Sequence, residues 1–509
     1  MALVLSGSTT ILTHATDTSN IGLGANAVDS ITTGDYNVGI GDNALTAVTT
    51  GVNNTAAGVD SLKTNTASEN TAMGYRSLYL NTTGAENVAV GERTLEANTT
   101  ASNNTGVGRT ALFRNTTGAD NTAIGHQALR NSTTSSKNTA VGKSALYANT
   151  TGHSNTSIGH ASMDANTTGS YNTAFGRDSL GLNTTASNNT AFGYNTLAST
   201  TTGTNNTAMG VDALANNTGS DNTAVGLNSL ITNTSGIDNS ALGKASLEAN
   251  TSGSQNVAIG RQALQANTTG NENTAVGFQA LKDNTTAEKS VAVGYRAGQN
   301  QTTSGSNVCV GFEAGEDLTT GGGHNTLIGR NAGSYTTLLT TGTANVVVGA
   351  YSRPSSSAGE NQIVMGNNVE GQGDSQFTFG KPSNRVYNDF ATNASWTRSS
   401  DERKKTNIAD STLGLDFIND LRTVTFQWKR SQDIPNTLKD YDADVNHMNT
   451  DVTMHGMLAQ EVKAALDTAG VTTFGGWQEE SDGSQSLSQE MFIYPLIKAI
   501  QELSAKNEA

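Results

Sequence analysis

The side chains whose types and spacing best suit chemistry lie in one short run, Ser400-Asp401-Glu402-Arg403-Lys404-Lys405. A serine hydroxyl becomes a useful nucleophile only when a base takes its proton, and a lysine can do this if burial or nearby cations lower its pKa. Lys405 lies five residues from Ser400, and Arg403 and Lys404 between them disfavour its charge. The residue types therefore permit a serine–lysine dyad. A bare run of this kind also fits a solvated charged turn.

Other chemistries find less support. Gly142-Lys143-Ser144 has the ending of a phosphate-binding loop, but five positions before that glycine stands Lys137, so the phosphate-cradling glycine is missing. The histidines, His14, His126, His153, His160, His324, His447 and His455, show no metal-ligand spacing with carboxylates or cysteine, and no metal or cofactor is expected. Hydrolysis of a glycosidic bond needs two carboxylates about 5–10 Å apart. Glu92, Asp164, Asp178, Asp212 and Glu248 sit at variable repeat positions, where they read as a solvated face and cannot be paired from sequence. Triplets such as Asn98-Thr99-Thr100 match glycosylation acceptors but are part of the repeat.

That repeat organises most of the chain. The phrase N-T-A-x-G returns with glycines at Gly41, Gly58, Gly74, Gly91, Gly108 and onward to Gly366, at a step of 17 residues, 16 from Gly58 to Gly74 and from Gly210 to Gly226, that loosens after Gly311. The unit Asn138 to Ser154, NTAVGKSALYANTTGHS, shows the pattern: a short apolar stretch, a glycine, an Ala-Leu pair, then a polar bend. A unit this short cannot bury a face alone and must stack on its neighbours. Thr139 and Val141 alternate with Ala140 and Gly142, which is strand periodicity, with a small face open to close approach of another backbone. Stacked parallel strands are predicted, about twenty rungs and roughly 95 Å long at about 4.8 Å per rung. Recurring asparagines can form amide ladders, and the Asn-Thr-Thr-Gly segments are expected to supply the left-handed dihedrals. Pro354, Pro382, Pro435 and Pro495 all lie late in the chain, as fits a ladder in which each backbone N–H has a partner. Cys309 replaces alanine at its repeat position and is expected to be buried.

Composition agrees. Of 509 residues 55 are Gly, charged residues are 14% and aromatics 5%, so large conventional cores are excluded. The net charge of −15 argues against a nucleic-acid groove, and any polyanionic partner would have to be met locally. One cysteine excludes intrachain disulfides. The N-terminus reads as neither a secretory signal nor a membrane helix, so synthesis in a cytoplasm without membrane insertion is expected.

The repeat phrase is lost near residue 367, and 367–399 read as a neck or stalk of irregular strands. Beyond Ser400 the chain becomes an ordinary α/β mixture, and Trp396, Trp428 and Trp477 imply a small core of its own. A helix is predicted over HGMLAQEVKAALDTAG from His455, closed by Gly470. A second is predicted from Tyr494 or Pro495 to about Lys506, with Leu496, Ile497, Ile500 and Leu503 in one stripe that could pack within its own domain or against symmetry mates.

Two stretches resemble known families. Asn256-Val257-Ala258-Ile259-Gly260 and its repeats over about 20–366 resemble the head repeats of YadA-like trimeric adhesins, left-handed parallel β-rolls that carry a secretion signal and a membrane anchor, neither of which is read here. Ser400 to Ile408, then Leu421-Arg422-Thr423-Val424-Thr425-Phe426-Gln427-Trp428 and Gly456-Met457-Leu458-Ala459-Gln460-Glu461-Val462, resemble in order the intramolecular chaperone domain that ends endosialidase-type phage tail spikes and fibres. In that family the domain trimerises, guides folding of the shaft and cuts itself off. The resemblance implies that Ser400 attacks the carbonyl of Ser399 with Lys405 as base, and that Asp401 and Arg403 orient the strand or bind the oxyanion. The tandem serines leave the nucleophile open by one residue.

The expected protein is mainly β: an attachment segment at 1–19, a β-solenoid or β-roll shaft at 20–366, a neck at 367–399 and a helix-containing chaperone at 400–509. It would be a homotrimeric tail fibre or spike on a virion tail or extracellular particle, docked by its N-terminus to a tail or baseplate protein and binding a host-surface glycan or protein receptor. Alternatives are a surface adhesin whose last domain is a permanent, uncleaved trimer cap, and a spike that degrades glycans.

Overall fold

The computed structural model describes residues 19–389, 397–398, 400–446, 448 and 450–508. His14, Trp396, Ser399, His447 and nearly all of the expected attachment segment lie outside the described residues. The chain divides into two compact units, Met1–Ser399 and Ser400–Ala509.

The first unit is a parallel β-solenoid, as the repeat predicts. Each turn as far as Val346–Val348 contributes a strand of three residues, with Ile363–Gly366 and Gln376–Lys381 longer, and each strand stacks in register on the next: Thr139, Ala140 and Val141 pair with Thr156, Ser157 and Ile158. Of the 24 strands in this sheet, the last two, Asn384–Asp389 and Thr397–Arg398, pair antiparallel and the other 22 run parallel. The parallel stack extends beyond residue 366 to Gln376–Lys381, and spans about 100 Å at the usual strand spacing. The rest of each turn is also bonded to its neighbour, for example Leu146 N–H to Ser162 O at 3.0 Å and Thr150 N–H to Thr167 O at 2.9 Å. A proline at such positions would remove a rung bond.

The interior is one side chain deep. Ala140 in the strand centre and Leu146 behind it are fully buried, and the same two columns recur from turn to turn. Two buried asparagine ladders complete it. In the first, Asn121 donates from its backbone N and from Nδ2 to Asn104 Oδ1, at 3.0 and 3.1 Å, and from Nδ2 to Ser135 O at 2.9 Å. In the second, Asn115 Nδ2 donates to Asn98 Oδ1 and Gly118 O, both at 2.9 Å. Cys309 takes the alanine place in Val308–Val310, where burial pushes its thiol up to about 12 and keeps it protonated.

One expectation is refined and one corrected. The small face of the strand does meet other backbone closely, Gly142 against Gly159 of the next turn and Gly22 against Ala27 O, but it does so inside the solenoid, with the branched residues pointing out. In all 22 parallel strands the outward residue after the buried centre is apolar, from Leu23 through Val141, Phe175 and Phe192 to Phe379. This leaves a continuous uncharged strip, with Phe192 46% exposed. The left-handed dihedrals are not in the Asn-Thr-Thr-Gly bend either. They fall on Gly142 (φ 137°), Ser144 (58°), Leu146 (51°) and Ser154 (56°) and their equivalents. A leucine in this region costs about 1–2 kcal/mol, and its full burial returns roughly 1.5–3 kcal/mol, so the interior can hold it there. Gly152 is required by space rather than by φ: a Cβ would lie 2.5 Å from Asn149 Oδ1 and collide with Gly169 O of the next turn.

The second unit is a small mixed domain. Helix α1, Leu415–Asn419, is followed by strand Val424–Phe426, which pairs antiparallel with Met454–Gly456. Helix α2, Ala459–Thr468, a hairpin of Trp477–Glu479 with Gln485–Leu487, and helix α3, Ile493–Glu508, complete it. Leu413, Phe417, Val462, Ala465, Leu466 and Phe492 form the core, with Phe474 edge-on to Phe417 and Phe492 at 6.2 and 5.3 Å. The helix predicted from His455 begins later because Met454–Gly456 is spent in sheet pairing; its end is set by Gly470 at φ 68°. Helix α3 buries Pro495 and Ala499 and is tied to α1 by Glu502, whose Oε2 accepts from Leu415 N at 2.7 Å. Its stripe of Leu496, Ile497, Ile500 and Leu503 is left exposed within the unit, Ile500 by 66%.

Candidate active site

The C-terminal unit opens on a tight turn. Asp401 caps the short 3-10 helix Glu402–Lys404, accepting from Arg403 N at 2.9 Å. The Arg403 guanidinium grips the same carboxylate, Nε to Oδ1 at 3.0 Å and Nη2 to Oδ2 at 2.5 Å. A planar fork on a carboxylate fixes both partners in direction. These hydrogen bonds hold the Asp401 carboxyl below the usual aspartate range and raise Arg403 further.

This clamp returns the chain so that Lys405 faces Ser400. Lys405 Nζ lies 2.8 Å from Ser400 Oγ, and Lys405 N–H closes the turn on Glu402 O at 2.9 Å. With the lysine charged, Nζ donates; with its proton gone, the hydroxyl donates to Nζ, and the same contact becomes a nucleophile and its base. All four residues singled out in the sequence thus meet in one turn, with Asp401 and Arg403 engaged on each other. Ser400 and Lys405 are exposed within this unit.

Residues 400–471 match the family described as "Chaperone of endosialidase". The match to this chaperone family begins at Ser400, the residue that opens the second unit. No curated protein matches the chain. Within the matched span, Arg422 donates to Glu461, Nε to Oε2 at 3.2 Å, and Nη2 bonds the other oxygen. This fork links the second and third phrases that carry the resemblance; neither residue was a site candidate from spacing alone. The chaperone phrases also supply α2 and the strand pair beside it.

Elsewhere, Asp164 and Asp178 are brought near one another across adjacent turns, a pairing the sequence did not give. Burial, then the Asp178 charge, raises Asp164 above the ordinary aspartate range. Glu248 is not simply solvated, accepting from Gln265 Nε2 at 2.6 Å. Among the described residues, no group of three or more His, Cys, Asp or Glu is placed to hold a metal ion, and no helix is long and apolar enough to cross a membrane.

Proposed function

We propose that this chain is a homotrimeric tail fibre or spike of a phage or phage-tail-like particle, whose C-terminal unit templates the trimer and then cleaves itself off at Ser399–Ser400. The observation that carries this is the 2.8 Å contact of Lys405 Nζ with Ser400 Oγ, in the first residues of the second unit. In the reaction Lys405 takes the hydroxyl proton, Ser400 Oγ forms a bond to the Ser399 carbonyl carbon, and the bond from that carbon to Ser400 N breaks. The proton held by Lys405 passes to the departing nitrogen, and water then hydrolyses the ester. Asp401 and Arg403 act by holding the turn.

Trimerisation is supported by the two apolar surfaces. The outward strip of the solenoid is about 100 Å long and two side chains wide, on the order of 700 Å² of flat area. That exceeds the roughly 300–600 Å² patch of an ordinary monomer and approaches the about 800 Å² per partner of a stable interface. Because the strip carries no charge, chains of net charge −15 can meet along it. Helix α3 offers Ile493, Leu496, Ile500 and Leu503 at alternating three- and four-residue steps, the spacing of a coiled-coil seam. Association there would set the register of long rods whose non-local pairing is slow to nucleate, and cleavage would then make folding kinetically irreversible. Covering the exposed dyad would also remove water from Lys405, as a lysine base requires. The solenoid turns are read as a longer-unit relative of YadA-like head repeats, with receptor binding on the shaft.

Mass determination of the purified product tests the processing step. A fragment beginning at Ser400 is expected; an intact chain in a fully folded trimer would favour the permanent cap instead.

A further inference from the structure

One column of the shaft has a composition at odds with the rest of the chain. The residue after each strand-ending glycine projects from the solenoid corner, beside the apolar strip. From Arg109 to Arg330 this column contains no carboxylate, although acidic residues outnumber basic ones by 44 to 29 over the whole sequence. Five consecutive turns place Arg109, His126, Lys143, His160 and Arg177 there. Backbone bonds keep them in file: Gln127 N donates to Arg109 O, Ser144 N to His126 O, Ala161 N to Lys143 O and Asp178 N to His160 O, at 3.1, 2.9, 3.0 and 3.1 Å.

Only the ends of this file are neutralised. Arg109 Nε lies 3.3 Å from Glu92, and Arg177 Nε lies 3.0 Å from Asp178. Among the described residues no ion pair engages Lys143 between them. Asp164, in a neighbouring column, is the carboxyl whose charge reaches His160, and its burial works against that charge. Next to the centre of the file stand Gln127 and Ser144, uncharged groups that can both donate and accept hydrogen bonds, while Thr110 is buried with its hydroxyl on Arg109 O and Ala161 and Asp178 complete that flanking column. A single file of cations and imidazole donors about 4.8 Å apart, flanked by hydroxyl and amide groups, suits an extended chain with acid groups along its length and hydroxyls between them.

We propose that this file, centred on Lys143, binds a linear acidic polysaccharide bearing carboxylates on successive sugars. The proposal deepens the host-recognition part of the function above by naming the receptor's chemical class, and it rests on that part alone, not on self-cleavage. Nucleic acid fits less well. A duplex presents two phosphate strands to what is one row of charge, and single strands need open aromatic faces. Of the aromatics in the same column, Phe278, Tyr295 and Phe312 cover one another's faces at 5.3 and 5.0 Å, and Tyr194 lies under the Arg177 guanidinium at 5.7 Å.

The test is surface plasmon resonance on the full chain, with polygalacturonate as probe and neutral maltodextrin and oligo-dT as comparisons. Saturable binding to polygalacturonate is expected, weakening as salt is raised and falling about tenfold or more in Lys143→Glu. Lys289→Glu, which makes the same charge change outside the file, should bind as the natural chain does. Equal loss in both variants, preference for oligo-dT, or no binding to polygalacturonate would each overturn the proposal. A processed trimer that ignores the probe sinks this site only; an uncleaved chain that binds it sinks the cleavage step only.

Discussion

The two units spend their sequences in opposite ways. The solenoid buries mainly small and polar residues, Ala140 and Asn138 with Leu146, and turns most of its Val, Ile, Phe and Met outward, Met163, Val347 and Val364 being among the buried exceptions. The C-terminal unit buries Phe417, Leu466 and Phe492 in a conventional core but leaves the Leu496, Ile497, Ile500 and Leu503 face of α3 uncovered. In the first, stability is a sum of equal steps between neighbouring turns; in the second, a few residues decide everything. The lesson is that a rung needs only to be satisfied above and below, so its large apolar residues are free to serve association. The chemistry-bearing turn belongs to the small unit, where a single backbone reversal can bring Lys405 onto Ser400.

The sharpest way to break this contrast is at the dyad. Ser400→Ala and Lys405→Ala should each abolish processing while leaving both units folded, seen as a single full-length mass with unchanged circular dichroism. Next, Ile500→Asp together with Leu503→Asp should prevent trimer formation by removing roughly 1.5–3 kcal/mol of burial per side chain in each copy. Sedimentation would then show monomer; a trimer of unchanged affinity would mean that α3 is not the seam.

Effects within the shaft should be smaller and local. Asn121→Ala leaves Asn138 and Ser135 without partners it now supplies, at a cost of about 1–3 kcal/mol. Hydrogen exchange should rise in the turns on either side and nowhere else. The second ladder has a gap at Thr200, between Asn183 and Asn217, where the buried hydroxyl has no partner. Thr200→Asn should close it and stabilise that turn by about 0.5–1.5 kcal/mol, read as slower exchange there. The smallest effect concerns Asp401. Because Arg403 holds its carboxyl below the ordinary value, the clamp is fully formed above that value and is lost as pH falls through the lower, folded one. The Arg403 Nε–H signal should therefore persist in acid below the range where free aspartate titrates.

The beat of glycines, the alternation around Ala140 and the spacing of Ser400 and Lys405 made the parallel stack, the amide ladders and the candidate dyad legible without coordinates, because each depends on residues close in sequence or repeated at one interval. Which strand face turned inward was not legible: alternation marks two faces but not which is the core, and a shaft only one side chain deep has room for Ala140 and Leu146 but not for a second row of Val and Phe. Nor was the seat of the left-handed dihedrals, since a leucine accepts φ 51° only when the turn above and below holds it buried. The Arg422–Glu461 fork, the exposure of the α3 stripe within its unit and the file of Arg109, Lys143 and Arg177 likewise emerged only when packing had fixed which side chains share a surface.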